Sequence, residues 1–149
     1  MKNKREKKGG FNNKIYLKEV EESKNNIEEE QNFQNKQIAL LNNLNENNSL
    51  RDVQKYINNV NEIRGFNSQP ITEMMLLLTE EVGELAKAIR KNNTNIKIDE
   101  NKKYNYDTVE SEVSDVFYVL SCVCNKLNID IYSSLKQKEI ENVKRKWVK

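Results

Sequence analysis

Histidine is missing from all 149 residues, and that absence removes more chemistry than any other. No Ser-His-Asp or Cys-His arrangement, no imidazole general base and no His-ligated zinc can be built. The Glu-x-x-His pattern of di-iron bundles is excluded on the same ground. Cysteine is scarce. Cys122 and Cys124 stand two positions apart in a helical pattern, so they point to nearly opposite sides and read as free thiols, not as a bridge. At this spacing they are also a poor start for a zinc site. No apolar run has the length of a signal peptide core or a membrane helix. These features predict a cytoplasmic chain with no membrane partner. A net charge of +2 supplies no basic field, so nucleic acid is not an expected partner either.

What remains for chemistry is carboxylate, Lys, Arg, Tyr and metal. The length suits one domain. Apolar residues make up 36% of the chain, mean hydropathy is −0.90, and the deficit is uneven. Residues 1–48 are dominated by Lys, Glu and Asn, whereas apolar residues crowd into 50–135. Residues 1–48 therefore read as a charged, Asn-rich N-terminal extension, disordered or a lone helix, and 49–149 as the folded domain. Within the extension, 1–14 is basic and aperiodic, which predicts disorder. Ile15, Val20, Ile27, Ile38, Leu41 and Leu44 are sparse enough that either a short coiled-coil arm or a floppy extension fits. Removing 1–48 is expected to leave the core intact.

The rest is all-α. Ser49 is a natural N-cap, and Leu50, Val53, Ile57, Val60 and Ile63 follow at helical spacing. Gly65 ends that helix as its C′ residue. Pro70 opens a second helix to about Lys91, with Ile71, Met74, Leu78, Val82, Leu85 and Ile89 as its core stripe. A polar connection, 92–106, is long enough to be a mobile loop. A third helix from 107 or 108 to about Leu127 carries Val109, Val113, Val116, Leu120, Val123 and Leu127. A turn at Asn128-Ile129-Asp130 precedes a last helix running into Lys149. No strand pattern and no repeat is visible. Four core helices of this size complete their core by oligomerising.

Two acidic pairs interrupt these stripes. Glu81 and Glu84 lie three apart on the second helix, Glu112 and Asp115 three apart on the third, and i, i+3 positions share a face. If the helices pack antiparallel, four carboxylates converge, and a cation must neutralise them if all are to stay ionised. Oxygen ligands suit Mg²⁺, with Mn²⁺ as the alternative. Against this stands a plain solvated face. Glu80 points elsewhere, either as a partner for Lys87 or as a water-orienting base. Gly83 reads as close approach by a partner helix or ligand, or as tight packing. Lys138, Asn142 and Arg145 are spaced to share a helical face, suited either to phosphate or simply to a basic C-terminus. Tyr56, Phe66, Tyr118 and Trp147 are aromatics that either stack a base or pack.

Glu80-Glu81-x-x-Glu84 followed by Glu112-x-x-Asp115 resembles the signature of the MazG-like all-α nucleotide pyrophosphohydrolases. Arg64-Gly65-Phe66-Asn67 resembles the turn before that family's acidic helix, and Asn128-Ile129-Asp130 its turn after the third. Lys138, Asn142 and Arg145 fall at its Lys-Asn-Arg pattern. The resemblance covers about Leu50 to Trp147. It implies a four-helix domain that is an obligate homodimer or homotetramer, with Mg²⁺ on Glu81, Glu84, Glu112 and Asp115. It also implies cleavage of a (deoxy)nucleoside triphosphate to monophosphate and pyrophosphate, as in nucleotide-pool house-cleaning. Glu80 and Glu81 are the expected catalytic residues, and Lys138, Asn142 and Arg145 the substrate-binding ones. A phosphoribosyl-ATP or dUTP-type pyrophosphohydrolase, or a silent helical interaction module, are the alternatives. The long 92–106 connection and the N-terminal extension depart from the family pattern.

Overall fold

A computed structural model of the chain describes residues 10–97, 99, 101 and 107–148, with side chains from 17 onward except those of 92 and 93. Five α-helices follow in order: α1 (Gly10–Leu41), α2 (Leu50–Arg64), α3 (Ile71–Asn93), α4 (Val109–Lys126) and α5 (Ile131–Asn142), with a 3-10 turn at Phe66–Ser68. Among the described residues there is no strand.

The boundaries have local causes. The Ser49 hydroxyl accepts from the Asp52 amide at 3.2 Å and the Asp52 carboxylate accepts from the Ser49 amide at 2.9 Å, a reciprocal cap on α2. Gly65 closes α2 at φ 77°, a left-handed conformation that a Cβ would penalise. Pro70 stands at the N-cap of α3, where its missing amide costs nothing. Thr108 caps α4 through Ser111, and Asp130 caps α5 through Ser133.

The main packing is α3 against α4, and α2 joins α4, α5 and α1. Glu81 meets Glu112 and Asp115, while Met74 shares a cavity with Cys122. Moving back along α3 thus moves forward along α4, and the pair is antiparallel. Among the described residues the buried apolar core is small: Ile57, Val60, Met74, Ala88, Cys122 and Val123. A polar joint supplements it. Buried Gln54 donates to Asn125 Oδ1 at 2.9 Å and to the Ile129 carbonyl at 2.7 Å, and it accepts from the Ile131 amide at 3.1 Å. These bonds fasten the turn at 128–130 and the start of α5 to α2.

Three expectations change. The last helix ends at Asn142, not at Lys149. Bonds of the i→i+3 kind, Lys144 amide to Glu141 carbonyl and Arg145 amide to Asn142 carbonyl, tighten and close it. The expected core stripes lie partly outside: Val82 and Ile89 on α3, Val113 and Leu120 on α4, and Leu127 at the α4 C-cap are each exposed, as is Met75 beside the α3 stripe. Two helices packed on one another bury one strip each, so apolar residues a third of a turn away stay on the outer face. Finally, the N-terminal extension, expected to be disordered or a lone helix, is helical over Gly10–Leu41, including 10–14, where disorder was expected. Residues 21–36 are exposed, but Gln37 and Leu40 are half-buried and Arg64 donates to Gln37 at 2.8 Å. The disorder expected of 1–14 falls mostly on 1–9, outside the described residues, as do 98, 100 and 102–106 of the long connection.

Candidate active site

The acids come together at the α3–α4 seam. Carboxylate oxygens of Glu81, Glu112 and Asp115 all lie within 4.8 Å of one another. Antiparallel packing accounts for this, because the two i, i+3 pairs face each other across the seam. The three sit at different depths. Glu112 is 4% exposed, Glu81 is half-buried and Asp115 opens to solvent. Burial, followed by the charges of Asp115, Glu84, Glu112 and Glu80, pushes the Glu81 carboxyl above its ordinary range. Glu112 is pushed up as well, by burial first and then by Glu84, Asp107 and Asp115.

Glu84 stands slightly apart. Its carboxylate accepts from Lys87 at 3.1 Å, so Lys87 pairs within α3 with Glu84 and not with Glu80. Glu84 still bears electrostatically on both Glu81 and Glu112. Glu80 is exposed one position from the cluster. A Cβ built at Gly83 would meet nothing within 4 Å, so within this chain neither close approach nor tight packing explains that glycine.

The basic trio is not assembled on one helical face. Lys138 pairs with Glu141 at 3.0 Å and Asn142 donates to Glu139 at 2.7 Å. Arg145 lies past the end of α5. The described packing of α5 is against α2, whereas the acids are on α3 and α4.

Of the aromatic residues, Phe66 and Trp147 are exposed at 45% and 76%. Tyr118 is engaged: its hydroxyl accepts from Arg64 at 3.1 Å and donates to Asn61 Oδ1 at 2.6 Å. Buried Asn61 in turn donates to Cys122 Sγ at 2.8 Å. This chain of polar contacts joins α2 to α4 beneath the seam, and sequence reasoning missed Asn61 within it. Its signal was faint: an amide at position 61, one residue after Val60 in the α2 core stripe, where apolar side chains otherwise prevail.

The chemistry open to this arrangement is that of clustered hard oxygen donors, which hold a divalent cation and hence a phosphate chain. No helix among the described residues is long and apolar enough to cross a membrane. No curated protein matches the chain. A crystal structure of the YPJD protein of Bacillus subtilis, assigned there as a candidate pyrophosphatase, is similar at a TM-score of 0.55 and 24% identity, over 68% of this chain and 100% of that one. That likeness supports the helical fold. A family model described as the MazG nucleotide pyrophosphohydrolase domain matches residues 69–146, a span that runs from Gln69 just before α3 through the acidic pairs to α5. On that match over more than half its length, the chain belongs to the MazG nucleotide pyrophosphohydrolase family.

Proposed function

We propose that the protein is a Mg²⁺-dependent hydrolase that cleaves a (deoxy)nucleoside triphosphate between the α and β phosphorus atoms, releasing the nucleoside monophosphate and pyrophosphate. The observation that carries this reading is the convergence of Glu81, Glu112 and Asp115 within 4.8 Å inside the family's matched segment. The donor set fits a hard divalent cation. It is all carboxylate oxygen, and a cation would offset both the burial that chiefly raises Glu81 and Glu112 and the like charges that add to it. Glu81, Glu112 and Asp115 would hold it, with Glu84 joining by release of Lys87, an exposed pair that costs little to break. When bound, the cation supplies Lewis-acid neutralisation of the triphosphate oxygens.

The remaining work falls to side chains. A water oxygen attacks the α-phosphorus in line, the bond to the bridging oxygen breaks, and the electron pair leaves on pyrophosphate. The water proton passes to a carboxylate, since the chain holds no histidine. Glu81, and Glu80 exposed beside it, are the acceptors we assign. Lys138, Asn142 and Arg145 are assigned to the phosphates. Lys138 and Asn142 are tied up only by exposed pairs with Glu141 and Glu139, which yield to a stronger anion.

We further propose that the working form is a homodimer or homotetramer. Met75, Val82 and Ile89 on α3, and Val113 and Leu120 on α4 with Leu127 at its C-cap, are exposed apolar residues repeating every seven positions. Such stripes are the pattern by which one helix pair packs on another.

The test is hydrolysis of a nucleotide panel with Mg²⁺ in ¹⁸O-labelled water. Label is expected in the monophosphate. Label in pyrophosphate, or release of orthophosphate and a diphosphate nucleotide, would overturn the reaction.

A further inference from the structure

Two helical turns from the acid cluster lies a second feature on the same seam. Met74 precedes Glu81 by seven positions on α3, and Cys122 follows Asp115 by seven on α4. Seven residues bring a helix back to nearly the same face, about 10 Å along its axis. Because the helices are antiparallel, both displacements run the same way. Met74 and Cys122 there form the floor of a half-open cavity of about 210 Å³, walled by Asn58, Asn61, Asn67 and Asn125.

Its lining is unusual for a phosphate site. No carboxylate borders it, and its one cation, Lys126, donates to the Asn67 carbonyl at 2.8 Å. That bond pins the turn after α2 over the cavity mouth. Asn61 is held in one orientation, its oxygen taking the Tyr118 hydroxyl and its nitrogen facing Cys122 Sγ. An amide carries two N–H groups and two lone pairs, so Asn61 keeps one donor and one acceptor. Asn125 is locked to Gln54 in both directions. The side-chain amides of Asn58 and Asn67 make no hydrogen bond to a described residue. Neutral amides offering donor and acceptor together, over a soft apolar floor, match a flat neutral ring with alternating donors and acceptors along its edge.

We propose that this cavity seats the base of the nucleotide, with the Asn58 and Asn67 amides reading its edge and the Arg64–Tyr118–Asn61–Cys122 chain keeping the wall rigid. The proposal rests on the nucleotide reading above and assigns the residues that set base choice. A nucleotide whose phosphates lie at the acids then extends its sugar and base along the seam toward Met74.

The experiment compares wild type, Asn58→Ala and Asn67→Ala on the four common nucleoside triphosphates with Mg²⁺. Asn67 lies exposed in a short turn, so its variant folds even if the α2 substitution does not. The spread in kcat/KM between best and worst base should narrow by about tenfold or more, carried mainly by KM. An unchanged base ranking and unchanged KM in both variants would overturn the cavity's role while leaving hydrolysis standing. If wild type cleaves none of the four, the parent reading fails instead. Calorimetric titration with the four nucleoside monophosphates then decides the cavity: base-dependent binding lost in the variants supports it, and base-independent binding, or none, refutes it.

Discussion

Glu112 shows how much one residue's depth matters. It is an acid in a buried position, raised by desolvation and by three neighbouring acids. Such a group lowers the stability of the protein without metal and becomes favourable only when a cation compensates it. Glu112→Gln should therefore raise the melting temperature in EDTA at pH 7 and abolish the further rise that Mg²⁺ gives wild type. Turnover should fall by more than the roughly 10–100-fold typical of residues one shell out. Scanning calorimetry with and without Mg²⁺ reads the first two, and pyrophosphate release the third. A variant that loses stability in EDTA would show that Glu112 is structural. Asp130 behaves oppositely. Hydrogen bonds from Arg51 and from Ser133 hold its carboxyl at about 2, below the ordinary 3.8. Its stabilising effect is complete above the ordinary value and fades as pH falls through about 2. Wild type should thus lose more stability than Asp130→Asn between pH 5 and pH 2, measured as denaturation midpoints across that range.

At the level of elements, caps and breaks were readable and depth was not. Ser49, Gly65 and Pro70 each act through chemistry local to a few residues, so their letters alone located the ends of α2 and the start of α3. Spacing likewise put Glu81 with Glu84 and Glu112 with Asp115. It could not say that Lys87 would draw Glu84 aside, or that Glu112 and not Asp115 would be the deep acid, since both depend on how two helices cross. The end of α5 was illegible for a related reason: Lys144, Arg145 and Lys146 have good helix propensity, and only the observed cap geometry stops the helix at Asn142. α1 yields a prediction of its own. Gln37 and Leu40 bind it to α2, and Leu40 and Leu44 line a cavity with Tyr56, whereas residues 21–36 are exposed throughout. Deleting 1–36 should leave the melting temperature nearly unchanged, and deleting 1–48 should lower it. Equal melting points for both deletions would show that the α1–α2 contact contributes nothing.

For the whole molecule, the proportion of core to exposed apolar surface is the main fact. Six apolar residues are buried among the described residues, while two heptad-spaced stripes face outward. A second copy packed on those stripes would double the helices around one core and support the α3–α4 seam from outside. Val82→Glu with Leu120→Glu should convert a dimer or larger species to monomer at micromolar concentration, with a loss of Mg²⁺-dependent turnover. Light scattering measures the first, and a wild type that is monomeric would refute the assembly.

The contact between Asn61 and Cys122 also bears on thiol chemistry. Burial pushes the Cys122 thiol above its ordinary value, and Cys124 likewise. Neither is a ready thiolate at neutral pH, so oxidants and alkylating reagents meet poor nucleophiles. Cys122 is 8% exposed and tied to α2 through Asn61, so its reactivity rises when α2 parts from α4. Its labelling rate under native conditions is therefore a clock for the opening of the bundle. Mg²⁺ and nucleotide, if they bind along the seam, should slow that clock in proportion to how firmly they hold the helices together.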